Sequence, residues 1–391
     1  MHLCEAFWLE DYCKKKDLCA NLLPVLCMEA LQNSGALAEQ YISRLFAVRT
    51  SLPTLDYADP STSSFSRLLS KAVSSPNFIG SNAGSKFLTY LLTFDPTLLQ
   101  TLHSAVKVQI PEAGKNQLRS YGEMYLRAWK ISSDVNRASL VDLALSPLAS
   151  ASLHVEGGAM AKNLRLLLSP LHEARKDPAV DGMLHALYSP ILWRALSAAN
   201  PKVRASSAGI LADTFPLHDP TASPEAKAAV VKKGVAALSS LMLDPSPQVR
   251  VAGSEAVSLV LQVLWDTLAP KDVRSLLNTL TTKLSSDASS PSVRSSSLLS
   301  LSLILENSSS HPVMKSLLPL TSNLIHDHNV GVRLAMVKML NKVKTVRGIK
   351  FYQIVKVREG GRREGGIEGC VGRVVGKGGS VFKSNDNPTL F

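Results

Sequence analysis

The chain has 391 residues, 45% hydrophobic and 6% aromatic, with a net charge of +12 and a pI near 9.5. It can bury a large core, and length alone suggests two or three domains, unless the chain is a stack of repeats in which each unit packs only on its neighbours. The charge favours an anionic partner, nucleic acid or an acidic protein segment, and says nothing about fold.

Composition excludes several classes. Cys4, Cys13, Cys19, Cys27 and Cys370 fit neither paired metal-ligand spacing nor a disulfide framework, which predicts reduced thiols. The opening MHLCEAFWLEDY carries acids where a signal peptide would carry bases. No apolar run approaches the ~18–20 residues that span a bilayer. The expectation is a soluble intracellular protein.

Residues 1–120 read as irregular helical repeats. Helices are expected over 18–31, 38–48 and 85–106, with SLPTLDYADPSTSSF (51–65) a loop by its Pro, Asp and Ser content. From 121 to 356 the pattern is regular. Val-Arg pairs stand at 203/204, 249/250, 293/294 and 332/333, at intervals of 46, 44 and 39 residues. Periods of roughly 40–47 built from helix pairs mark HEAT or armadillo repeats.

Each unit reads as helix, turn, helix. MLHALYSPILWRALSAA (183–199) is expected to form a helix that Asn200-Pro201 breaks, since proline disfavours helical geometry before it and suits the first turn after it. Val203, Ser207, Ile210, Leu211 and Phe215 then share one face. AKAAVVKKGVAALSSLML, the break Asp244-Pro245-Ser246-Pro247, and Val249, Ala252, Ala256, Val260 and Leu264 repeat the device. Val273, Leu276, Leu277, Leu280 and Leu284 precede a third, Ser-rich break, followed by Val293, Ser297, Leu301, Ile304 and Leu305. This i, i+3/i+4, i+7 recurrence predicts an all-α fold, an α-α superhelix of the HEAT/armadillo kind.

The recurring arginines have two readings. In one, Arg204, Arg250, Arg294 and Arg333 form an inter-repeat ladder, each reaching an inter-helix aspartate (Asp244, Asp287, Asp327) or a helix-end carbonyl, which the planar guanidinium fork suits. In the other, four cations line a groove for phosphates. The fixed phase of each arginine to its turn favours the ladder.

From Val357 onward the chain holds nine of its 22 glycines and no helical stripe, so 357–391 is expected to be a disordered tail. Val357-Arg358 can be encoded by GTGAGN, the form of a splice donor, so the tail is read as translated intron. An uninterrupted transcript reading frame there would reject this.

YGEMYLRAWK (121–130), LYSPILWRAL (187–196), VRASSAGILADTFPLHDP (203–220), LMLDPSPQVRVAG (241–253), HPVMKSLLPL (311–320) and IHDHNVGVRLAMVKMLNKVKTVRGIKFYQI (325–354) together resemble the HEAT-repeat G-type subunits of condensin II. The likeness runs from the first residues to about 355. WRAL, DTFPLHDP and KVKTVRGIKF carry its specificity, because generic HEAT repeats do not share them. The family's chains begin earlier and extend further, so this is expected to be an internal part or a truncated gene model. At Asp177-Pro178-Ala179-Val180-Asp181 an acid follows the valine where the ladder would need a base.

The resemblance implies a non-enzymatic subunit that holds a kleisin segment and, with it, grips double-stranded DNA. Separate SMC ATPases would supply the energy for mitotic chromosome condensation in the nucleus. It implies no cofactor, no membrane and no small-molecule substrate. The residues add one feature: between Asp327 and Glu359 there is no acid and there are eight bases. Lys338, Lys342, Lys344, Arg347 and Lys350 are the candidates for DNA proximity, with Lys202, Lys232 and Lys233 weaker. A solvated helix surface is the alternative, because Lys338 and Lys342 face away from Arg347 at 100° per residue.

Other signals are faint. Gly376-Lys377-Gly378-Gly379 matches a GxxG loop without the surrounding KH elements. GxxxxGK[ST], GxSxG and HExxH are absent. His326-Asp327-His328 reads as an inter-helix turn rather than a metal site. Seven Ser-Pro pairs, with serines at 75, 146, 169, 189, 223, 246 and 290, read mainly as helix starts or turns. Two rivals remain. Strong duplex-DNA affinity argues against a karyopherin-like receptor, and co-purification with a phosphatase catalytic chain would favour a phosphatase regulatory scaffold.

Overall fold

The computed structural model describes residues 14–155 and 158–355, and every regular element among them is helical. The all-α, helical-repeat expectation holds over these residues. The tail from Val357, the GxxG stretch, Cys4, Cys13 and Cys370 lie outside them. The chain divides into two compact units, one running to Ala195 together with Asp219–Thr221, the other comprising Leu196–His218 and the chain from Ala222 onward.

The first unit is built from α1 (Lys15–Gln32), α2 (Gly35–Ala47), α3 (Ser63–Ser74), α4 (Pro76–Gly80), α5 (Asn82–Leu91), α6 (Pro96–Gln109), α7 (Lys115–Ile131), α8 (Asp134–Leu140), α9 (Ser146–His154), α10 (Gly158–Glu173), α11 (Pro178–Tyr188) and α12 (Leu192–Ala195). A π turn, Val141–Leu145, links α8 to α9. Helices α2, α5, α7 and α10 stack one on the next. Gly122 of α7 permits its close approach to α10, because a Cβ there would overlap the Leu167 carbonyl.

Two expected helices are each divided. The 85–106 segment is α5 and α6, broken at Phe94-Asp95-Pro96: the Asp95 carboxylate caps the Leu98 N–H at 2.7 Å and Pro96 occupies the first turn. The 183–199 segment ends its first helix at Tyr188, where Pro190 removes a backbone donor, and resumes only as the four-residue α12. The 51–65 loop contains short 3-10 turns, Arg49–Thr54 and Pro60–Thr62.

The second unit contains α13 (Pro201–Thr214), α14 (Pro224–Met242), α15 (Pro247–Leu264), α16 (Pro270–Asn278), α17 (Pro291–Ile304), α18 (His311–Leu317), α19 (Val330–Lys344) and α20 (Phe351–Ile354). Helix α16 runs on as a π turn, Thr279–Leu284, and α18 as a 3-10 stretch, Leu318–His326. Thr279, Thr281 and Thr282 each donate to a carbonyl four residues back, a local competition that loosens helical winding. Proline opens α13 through α17, where its missing N–H costs nothing.

Helices α13, α15, α17 and α19, the ones that begin with Val-Arg, pack side by side in chain order. Val203, Val249, Val293 and Val332 are all buried. Small side chains let these helices approach, and Ser254 of α15 meets Ser296 of α17 at 2.6 Å, Oγ to Oγ. Of the face expected for α15, Ala252 and Leu264 are only half-buried, while Val249, Ala256 and Val260 are core.

Candidate functional site

The four Val-Arg corners occupy equivalent places at the start of the stacked helices. Arg204 Nε and Nη2 lie 2.8 Å from Asp244 Oδ2 and Oδ1, a two-bond fork. Arg294 repeats it on Asp327, at 2.7 and 3.0 Å. Arg250 Nε stands 2.9 Å from Asp287 Oδ2 without hydrogen-bond alignment, while its Nη2 donates to Ser289 Oγ at 2.6 Å. The six side chains of these pairs are 9–16% exposed.

Each arginine also caps the turn that precedes its own helix. Arg204 Nη1 donates to the Ala198 and Ala199 carbonyls, Arg250 to Asp244 and Pro245, Arg294 to Asp287, and Arg333 to Asp327 and His328. The aspartates are used twice as well. Asp244 Oδ1 accepts the Ser246 N–H, Asp287 Oδ1 the Ser289 and Ser290 N–H groups, and Asp327 Oδ1 the Asn329 N–H. One carboxylate thus shapes its own turn and receives the arginine of the preceding repeat.

This arrangement sets the charge states. Burial by itself would raise the Asp244 carboxyl, but the Arg204 fork and the Ser246 N–H outweigh it and hold the group below its ordinary range. At Asp287 burial is likewise outweighed, by the Ser289 hydroxyl and Arg250. At Asp327 the Arg294 hydrogen bonds dominate and lower it despite burial. A guanidinium committed to a carboxylate and a carbonyl has few donors left for phosphate.

The chain before Arg204 breaks the pattern. Ala198 takes the place that Asp244 holds in the next turn, and Asp181 follows Val180 where an arginine would be needed. Asp181 pairs with Arg175 at 3.0 Å, and Asp177 with Lys130 at 2.9 Å.

The basic candidates are placed differently from one another. Lys338, Lys344, Arg347 and Lys350 are exposed, whereas Lys342 Nζ is 2.8 Å from Glu306 Oε1. Gln262 Nε2 donates to the other oxygen of Glu306, so Lys342 closes a polar chain from α15 through Glu306, just past the end of α17, to α19. Lys202, Lys232 and Lys233 are exposed. His326 ends the 3-10 stretch and Asp327 caps it, and no metal-binding group of three or more His, Cys, Asp or Glu occurs among the described residues.

Exposed apolar residues on the stacked helices, Val263 on α15, Leu299 and Leu303 on α17 and Leu334 on α19, escaped sequence reading. Leu299 and Leu303 stand 6 and 10 positions after Val293, the offsets that hold Lys338 and Lys342 after Val332. Comparing equivalent offsets across repeats is the signal that finds Leu299 and Leu303.

Residues 71–219 match the family described as the condensin II non structural maintenance of chromosomes subunit. The Condensin-2 complex subunit G2 of Danio rerio is 31% identical over 357 residues, covering 90% of this chain and 31% of that relative. Those of Homo sapiens and Xenopus laevis are 30% and 29% identical, covering 90% and 92% of this chain. The chain spans about a third of the length of these relatives. A designed armadillo repeat protein aligns with 70% of this chain at 18% identity, with a TM-score of 0.36.

Proposed function

Because the chain belongs to the condensin II non-SMC subunit family, we propose that it is a scaffold without chemistry of its own, holding a kleisin segment and contacting double-stranded DNA beside the complex's SMC ATPases. Its place is on chromosomes in the nucleus, and its process is mitotic condensation. The observation that carries the DNA half is the stretch 328–355, which has no acid and six bases. Of these, Lys338, Lys344, Arg347 and Lys350 are exposed, without a carboxylate partner among the described residues. Such cations raise phosphate affinity without reading bases, through release of condensed counterions. Lys342 contributes less, since contact with phosphate means giving up Glu306.

Arg204, Arg250 and Arg294 are not part of that interface, because their guanidinium groups are committed to the protein. The kleisin half is assigned to Val263, Leu299, Leu303 and Leu334, whose exposure on adjacent helices offers apolar anchor points to a peptide.

The test is capture by a kleisin fragment, followed by salt-titrated binding of the complex to duplex DNA. Lys338→Glu, Lys344→Glu and Arg347→Glu together should lower duplex affinity and flatten its salt dependence. Leu299→Asp with Leu303→Asp should weaken kleisin capture. A folded protein that binds neither partner at low ionic strength removes the reading.

A further inference from the structure

Both helix layers of the second unit expose bases, Lys202, Lys338 and Lys344 among them on the Val-Arg helices, but they differ in exposed apolar side chains. The large apolar side chains exposed on the Val-Arg helices are Val263, Leu299, Leu303, Val330 and Leu334. The other layer consists of α14, α16 with its π turn, and α18 with its 3-10 stretch, which neighbour one another in that order. It exposes Lys232, Lys271, Arg274, Lys283 and Lys315, none with a carboxylate partner among the described residues. Its exposed large apolar residues are Leu243, just past the end of α14, and Leu320.

On α16 the exposed residues include Lys271, Arg274, Ser275 and Asn278. Their spacing of three or four lays them along a single helix face. Thr282 and Lys283 follow, exposed in the π turn, which packs against α14. Asp272 lies beside this face and is half-buried. A face that mixes ammonium, guanidinium, hydroxyl and amide donors, with no large apolar side chain exposed on α16 or its π turn, fits a sugar–phosphate backbone, whose oxygens accept from all these groups. A protein partner would need apolar anchors, and the opposite layer has those.

We infer that the layer formed by α14, α16 and α18 is a second phosphate-binding surface for duplex DNA, separate from the 338–350 stretch. It takes duplex DNA as its ligand from the functional reading above and uses none of that reading's residues. Lys271, Arg274 and Lys283 are its centre, and Lys232 and Lys315 extend it onto the neighbouring helices.

The experiment measures binding of the full chain to a 30-base-pair duplex from about 50 to 200 mM salt. It compares the parent with Lys271→Glu/Arg274→Glu/Lys283→Glu, with the milder Lys271→Gln/Arg274→Gln/Lys283→Gln, and with the Lys338/Lys344/Arg347 charge reversal. All these positions are exposed, and circular dichroism with thermal unfolding establishes that each variant is folded. Each phosphate that is no longer neutralised should reduce the slope of log K against log salt by about 0.9. The glutamine triple should therefore flatten it by about 2 to 3 and weaken binding roughly tenfold or more, with a larger decrease for the glutamate triple.

An unchanged slope in both triples, with weakened binding confined to the 338–350 variant, overturns this inference and leaves the functional reading standing. Unchanged binding in every folded variant overturns both. Abolished binding to a polyglutamate peptide with duplex affinity intact also overturns it, because the surface would then serve an acidic protein segment.

Discussion

Arg250 ties two successive turns together: its Nη1 donates to the Asp244 carbonyl at 2.8 Å, while its Nε lies 2.9 Å from Asp287 Oδ2. The same side chain therefore closes its own helix start and locks the next repeat. Lysine can offer a charge there but not the divided fork. Arg250→Lys is expected to cost about 1–2 kcal/mol and Arg250→Ala about 2–4, because each leaves a largely buried Asp287 short of its cation. Urea unfolding measures this, and an Arg250→Ala change within 0.5 kcal/mol of the parent (roughly the noise for a neutral surface site) would remove the ladder's structural importance.

The aspartates give a pH dependence with a defined sign. Asp244, Asp287 and Asp327 are lowered in the folded chain from an ordinary value of 3.8. The unfolded chain takes up their protons first, so their stabilisation is present above that value and is lost as pH falls through the depressed folded values. Acid titration of the unfolding midpoint should show a decline steepening below about pH 4. In the variant carrying Asp244→Asn and Asp327→Asn that slope should be shallower, and an identical slope would contradict the assignment.

A second titration belongs to His103. Its Nδ1 lies 2.8 Å from the Tyr125 hydroxyl, its ring is buried, and burial pushes it down from 6.5 to about 4. The imidazole is thus neutral in the fold and charges readily only when unfolded. Its contribution is complete above pH 6.5 and fades as pH falls towards 4, a decrease of about 2 kcal/mol by pH 5. His103→Gln should lower stability at pH 7.5 yet flatten the change between pH 7.5 and 5. Equal pH slopes in the two proteins would show that His103 is not the group responsible.

Gly122 makes a further stability prediction. A methyl group there would overlap the Leu167 carbonyl of α10 and crowd the Pro170 ring. Backbone cannot move aside as a flexible side chain can, so Gly122→Ala should cost about 2 kcal/mol or more, against the gain that alanine ordinarily brings to a helix. A stabilised Gly122→Ala protein would mean that α7 and α10 are not in close contact.

The Glu306 network permits a test of Lys342. Glu306→Gln releases the ammonium from its ion pair. Duplex affinity should rise by about two- to threefold at low salt, since one more cation becomes available to phosphate at little structural cost. Unchanged affinity would place Lys342 and Glu306 outside any DNA contact.

Much of the helical architecture is local in origin and could be read from residues alone. Apolar spacing of three and four places Val249, Ala256 and Val260 on one face whatever lies opposite, and Asp-Pro or Asn-Pro turns stop and restart helices through steric rules that act within a few residues. The same rules, applied more strictly, divide 85–106 at Asp95-Pro96 and 183–199 at Ser189-Pro190. The division of the chain at Ala195 has no such local mark.

By itself the sequence determined that this chain is a series of paired helices and that an arginine stands at the same corner of four of them. Tertiary packing decided that Arg204 and Arg294 reach carboxylates 40 and 33 residues away, that Lys342 is held by Glu306, and that Leu299 and Leu303 face outward. The reason is one of range: helix period and turn chemistry act over a few residues, whereas partner and exposure depend on which neighbouring repeat covers a side chain.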